Sequence, residues 1–412
     1  MALNRSLIFF SIMIMFSMSL ISIPGNLLKN NNDIFYVGGN GPGNYTLIQD
    51  AIDNTSDGDT VYVFPGIYFE HLTINTSITL IGEEPDTTII DGDESYEKTT
   101  VRIYADKTVI TGFTMQRSIF GVIVPFGEDI SIINCRIINN SDCWCPVRIH
   151  TTKGTTVFER CEFFDNSGWA IHSIEGRGDI ILQSCFFRNQ SIWYLYRNNR
   201  LSVINCTFID NCELELISGV SNLLITDCRY VDGERNSINL GGRGEDNRIE
   251  NCHFENVDLG LYADDWQSDL VISNCTFNNT NQGGVLVGSG NNMKMFNCGF
   301  YNNKDFGLAM YAFQKSEIRN CWFSNATFAV PFGHRTCRWN RFYNNVFINN
   351  DRDVDYFFNE WGYYFFLWNF YKGNYWDSYQ GKDEDGDGYG DTWHRVFGWV
   401  NWDFQPRMTP LS

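Results

Sequence analysis

Three aspartates alternate near the C-terminus, Asp383, Asp385 and Asp387, followed by Gly388, Tyr389 and Asp391. Alternate carboxylates in a glycine-rich turn can converge on one hard cation, since glycine lets the backbone bend sharply around it. In a calcium loop starting at Asp383, the Tyr389 carbonyl takes the seventh place and Asp391 the ninth. The twelfth place holds His394, where a bidentate Glu belongs. The expectation is a structural Ca²⁺ held by Asp383, Asp385, Asp387, Tyr389 and Asp391, more weakly than in a complete loop.

A second pair of carboxylates stands in the phrase Leu261-Tyr262-Ala263-Asp264-Asp265-Trp266. Paired acids suit acid/base hydrolysis of a glycosidic bond. Asp264, Asp265 and His334 are therefore the catalytic candidates. Tyr194, Tyr196, Tyr262 and Tyr311 are candidates for stacking on a sugar. Arg148, His150 and His172 fall at comparable places in the chain. Adjacent acids on a loop are more often a solvated turn, so a binding surface is preferred here to a hydrolase.

What positions these residues is a repeat. Nine cysteines, from Cys135 to Cys321, recur at intervals of 21 to 26 residues. Phrases such as Ile204-Asn205-Cys206-Thr207-Phe208 and Ser273-Asn274-Cys275-Thr276-Phe277 recur with them. Asn345 occupies the cysteine slot of a later copy, and Gly112 that of an earlier one. An apolar residue always stands three places before the slot, an apolar and mostly aromatic residue two after, and Asn or Asp four after. Asn is also the commonest residue one place before it.

Slot and slot-plus-two share one face at strand period. The apolar column three places earlier breaks that period, so a bend lies between. Asn suits the bend because it tolerates left-handed φ. A further apolar strand follows, giving three short strands per coil of a solenoid. No 3.6-residue period runs through any copy, which excludes a helical solenoid. The cysteines read as a packing ladder: stacked Cβ atoms at about 4.8 Å lie beyond disulfide reach. Cys143, Cys145, Cys212 and Cys337 lie outside the ladder, and their pairing stays open.

The segment 1–25 opens with Arg5 and an apolar run from Leu7 to Ile23. It reads as a signal peptide or an uncleaved N-terminal anchor, the one expected link to a membrane. Either places the rest of the chain outside the cytoplasm, at the cell surface or beyond. The sequons at Asn44, Asn75 and Asn325 are compatible with export. The 412 residues carry 30 basic and 49 acidic side chains, a net charge of −19, which excludes nucleic acid as a partner. The expected partner is a polysaccharide or another surface component.

Tyr45 to Gly82, YTLIQDAIDNTSDGDTVYVFPGIYFEHLTINTSITLIG, resembles the opening of right-handed parallel β-helix proteins of the pectate-lyase superfamily, in its NosD-like archaeal branch. There a short helix plugs the first coil; here Leu47, Ile48, Ala51 and Ile52 would form its apolar face. Gly373-Asn374-Tyr375-Trp376-Asp377 and the acidic loop resemble the tail of that branch. The resemblance implies an all-β, single-stranded parallel β-helix of about a dozen coils over 33–355. An aromatic C-terminal cap is expected over 356–412. Gly333-His334-Arg335 resembles the Gly-His-Gly of polygalacturonases, but His334 stands 69 residues from Asp265, about three coils away. The superfamily brings polysaccharide hydrolase, lyase or epimerase chemistry as the alternative function. The NosD name brings copper delivery as another. Copper sites draw on His, Met and exposed Cys. The six His residues are widely spaced, and the Met residues concentrate near the N-terminus.

Overall fold

The computed structural model describes residues 32–140, 145–150, 153–173, 178–194, 200–217, 219–333, 336–356, 368–397 and 401–410. The expected leader at 1–25 and Cys143 lie outside them.

Most repeats fold as three short strands, and in some coils the second and third run on as one, as in Arg229–Leu240 and His253–Ser268. One coil runs through Ile130–Ile133, Arg136–Ile138 and Val147–Ile149. The strands of successive coils pair in parallel: Ile132 with Phe158, Ile137 with Phe163, Val147 with Ile171. About 13 coils stack in this way. The chain is thus a parallel β-solenoid, as its repeat requires.

The bends form at the expected columns. Asn134, Asn205, Asn251, Asn274, Asn297, Asn320 and Asn344, one place before the slot, all have left-handed φ. So do Asn139, Asp165, Asn189, Asp210, Asp232, Asn256, Asn279, Asn302, Asn325 and Asn349, four places after it. Exposed amides also bond from coil to coil, Asn274 to Asn251 and Asn297 to Asn274, each at 3.1 Å. A third left-handed column precedes the first strand and was not expected: Asp129, Asn222, Asp246, Asp269, Asn292, Lys315 and Trp339.

The aromatic column becomes an interior stack. Phe163, Phe187, Phe208, Tyr230, Phe254, Phe277, Phe300, Phe323 and Phe347 lie 4.5–5.2 Å apart with planes 3–8° from parallel. The spacing is that of the strands, so the stack follows from the register. Gly284 makes room for it: a Cβ there would meet the Phe300 ring at 2.5 Å. The nine ladder cysteines are buried thiols. Each can donate to a carbonyl two residues back, as Cys275 Sγ does to Ser273 O at 3.3 Å. Cys145, Cys212 and Cys337 are buried too.

Toward the C-terminus amides replace thiols in that column. Asn345 Oδ1 accepts from the Cys321 N–H at 2.9 Å, and Asn374 Oδ1 from the Asn345 N–H at 2.9 Å. The column ends on the buried carboxylate of Asp403, which accepts from the Asn374 N–H and Nδ2 and from Trp376 Nε1 at 2.8–3.1 Å.

Three expectations need correction. First, Phe113, not Gly112, occupies the cysteine slot of its coil, because Arg136 pairs with Thr114. Gly112 is the bend, at φ +82°. Secondly, the N-terminal helix is only Ile48–Ile52, and Leu47 is 46% exposed rather than part of its apolar face. Ile48, Ala51 and Ile52 do plug the first coil, and the Glu70 carboxylate accepts the Ile48 and Gln49 N–H groups. Thirdly, the sheets cross the boundary set at 355/356. Phe370–Lys372 pairs with Arg341–Tyr343, and Trp376 lies 4.3 Å from Phe347 with planes 4° apart. The stretch is a further rung, built because Asn374 and Trp376 repeat the slot and aromatic columns.

Candidate functional site

The third strand of each coil alternates inward apolar residues with outward ones, and parallel register lines the outward residues up. Arg148 pairs with His172, His172 with Trp193, Trp193 with Glu215, Glu215 with Asn239, and Asn239 with Tyr262. Six coils thus present one column of side chains on one side of the solenoid. Arg148, His172 and Tyr262 were among the residues singled out from the sequence; Trp193, Glu215 and Asn239 were not.

Aromatic rings form the middle of this face. Trp193 contacts two rings of the preceding coil, Trp169 at 4.1 Å and His172 at 4.8 Å. His172 is 7% exposed, and neither ring nitrogen has a hydrogen-bond partner. Burial, with Arg148 and His150 adding to it, lowers its pKa to about 4, so the ring is neutral at physiological pH.

Beside it stands a pair of acids that sequence reasoning missed. Glu213, just before the strand Leu214–Leu216, and Glu215 within it flank the buried Leu214, and the alternating burial puts both on the same side. Burial pushes both carboxyls above their ordinary range; for Glu213 the neighbouring Glu215 adds to the shift. Arg235 opposes both shifts, and Asn239 Nδ2 donates to Glu213 at 3.4 Å. The alternation Glu213-Leu214-Glu215-Leu216 was the signal that could have located them.

Asp264 and Asp265 are both exposed where the register slips between Ala263 and Trp266. Burial, then the Asp264 carboxylate, raises the Tyr262 phenol, with Tyr311 and Asp265 contributing. The structure therefore brings Tyr262, Asp264, Asp265 and Tyr311 into one neighbourhood. His334 and Tyr196 lie outside the described residues, as does the side chain of Tyr194.

At the C-terminus the carboxylate oxygens of Asp383, Asp385 and Asp387 come within 4.8 Å of one another. Among the described residues they are the one group of His, Cys, Asp or Glu close enough to share an ion. Asp383 shapes the turn by accepting the Gly386, Asp387 and Gly388 N–H groups at 2.7–3.1 Å. Gly386 and Gly388 supply positive φ. Asp391 accepts the Glu384 N–H, and Tyr389 bridges to Arg407. His394 stacks on Trp376 at 5.0 Å, so the twelfth place serves the core. The oxygen donors fit a hard cation.

Fold and face together define a parallel β-helix protein with a polar and aromatic stripe along one side. Residues 172–381, about half of the chain, match the family described as periplasmic copper-binding protein (NosD), and the chain belongs to that family. Residues 84–208 match the right-handed beta helix region. A cell surface glycoprotein of Methanothermus fervidus is 34% identical over 99 residues, 24% of this chain and 15% of that protein's length.

Solved structures of similar shape include the catalytic domain of an alpha-1,3-glucanase in complex with nigerose. Its TM-score is 0.42 at 11% identity, over 85% of this chain and 70% of that one. PfbA, a surface adhesin of Streptococcus pneumoniae, has a TM-score of 0.41 at 12% identity, over 72% and 86%. A mannuronic acid specific lyase from human gut microbiota has 0.44 at 13%, over 75% and 79%.

Proposed function

We propose that the chain is an exported cell-surface or extracellular scaffold that holds a polysaccharide or another surface component along its third-sheet face. The observation that carries this reading is the outward column from Arg148 to Tyr262, with aromatic and polar side chains at strand spacing over six coils. Polymers with a regular repeat suit such a surface. The name of the cell surface glycoprotein relative supports the location. On the same reading, Asp383, Asp385, Asp387, the Tyr389 carbonyl and Asp391 hold a structural Ca²⁺ that fixes the C-terminal loop.

A polysaccharide hydrolase, lyase or epimerase is the second reading. Glu213 and Glu215 favour it, because carboxyls raised by burial are suited to general acid work. A glycan array probed with the whole chain tests the first reading, and assay of the same glycans for cleavage or epimerisation tests the second. Binding without turnover is expected. Turnover abolished by Glu215→Gln would replace the scaffold with an enzyme.

A further inference from the structure

The register with the next coil slips between Gly233 and Asn236. At this slip lies a groove of about 560 Å³ lined by Trp169, Asn189, Ser191, Asn211, Glu234 and Arg235, among others. Its size falls in the range of small-ligand sites, about 300–1,000 Å³. The Asn211 side chain holds this segment by accepting the Glu234 N–H at 2.7 Å.

We infer that this groove is a subsite for a neutral pyranose and that it rejects polyuronates; the inference rests on the glycan-binding reading above. The Trp169 indole is half-buried and braced by Trp193 at 4.1 Å, so it offers a fixed apolar platform. The C–H face of a sugar ring is apolar and packs on such a surface, while its hydroxyls point to the rim. Asn189 and Asn211 supply amides that both donate and accept, which matches hydroxyls. The Ser191 hydroxyl accepts the Glu213 N–H at 3.1 Å and keeps its proton to donate.

Charge sets the class of sugar. Glu234 lies in the groove, and Glu213 and Glu215 stand on the adjoining face near Arg235. Asp165, Asp210 and Asp232 line the neighbouring hollow. Against these carboxylates stand Arg235 and Arg188, and Arg188 is already paired with Asp165 at 3.4 Å. A polyuronate would bring a further negative charge with every sugar into an acidic, half-desolvated surface. A neutral chain meets no such repulsion.

The test is calorimetric titration of the whole chain. Laminarin, galactomannan and starch oligosaccharides serve as neutral probes, and alginate and polygalacturonate oligosaccharides as anionic ones. Saturable binding of a neutral probe is expected, weakened at least tenfold by Trp169→Ala, with no binding of the anionic probes. Asn189→Gly, which keeps the left-handed backbone, should weaken the same probe and guards against misfolding of the Trp169 variant. Neutral binding unchanged in both variants would overturn the subsite and leave the broader reading standing. Trp169-dependent binding of a polyuronate would also overturn it. No binding of any glycan would remove the broader reading as well.

Discussion

The imidazole of His172 lies flat against the indole of Trp193, with centroids 4.8 Å apart and planes 9° from parallel. Burial, with Arg148 and His150 adding to it, keeps this ring neutral, with its pKa lowered to about 4 from 6.5. Above pH 6.5 the ring is neutral in both folded and unfolded chains, so it adds no pH dependence there. As the pH falls toward 4, the unfolded chain takes up a proton that the folded chain refuses, and stability is lost. His172→Phe keeps the stack and removes the proton. The melting temperature of the variant should therefore fall less than that of the parent chain between about pH 7 and pH 4.5. Parallel pH profiles for the two proteins would contradict the assignment.

Tyr230 interrupts a run of phenylalanines in the interior stack, 4.5 Å from Phe208 and 5.0 Å from Phe254. Its hydroxyl is buried without a hydrogen-bond partner. Tyr230→Phe removes that orphan and leaves the stack in place. The expected result is a gain of about 1 kcal/mol in urea unfolding, at an unchanged slope. A loss would mean that the hydroxyl has a partner.

Asp403 ends the internal amide column and also accepts the Gln405 N–H at 3.1 Å. Asp403→Ala would strand the donors of Asn374 and Trp376 in the interior, at a cost of about 3 kcal/mol or more. Asp403→Asn, which keeps one carbonyl acceptor, should recover part of that loss. Equal stability of the two variants would show that the carboxylate does not organise the C-terminal rung.

Sequence legibility followed repetition. The bends at Asn134 and Asn139 and the stack through Phe163 and Phe187 could be read because each residue type recurs in coil after coil. Trp193 and Glu215 occur once each. Their alignment depends on register: Trp169 and Trp193 both stand eight residues after a ladder cysteine, yet Trp193 pairs with His172. A slip of that kind is invisible without the strand pairing. Phe113 was misplaced for a related reason, since one glycine gave no side chain to mark the column. The acidic loop was readable locally, whereas the role of His394 on Trp376 depends on the hairpin His394–Phe397 and Asn401–Asp403.

Calcium at the acidic loop has a direct thermal test. The loop ties Gly390 to Pro406 and Gly388 to Met408 by backbone hydrogen bonds of 2.8 and 3.1 Å. Binding to the folded chain alone must stabilise it. Excess Ca²⁺ should raise the melting temperature by several degrees over EGTA, and Asp383→Asn with Asp385→Asn should abolish the difference. An unchanged melting temperature would remove Ca²⁺ from the account.

The central claim is that the third-sheet face binds polysaccharide and leaves it intact. Affinity electrophoresis through gels cast with single polysaccharides, followed by end-group analysis of the same polymers after long incubation, reads both halves at once. The account predicts retardation by at least one polysaccharide and no new reducing or unsaturated ends. Free migration through every gel, or new chain ends in any of them, would contradict it.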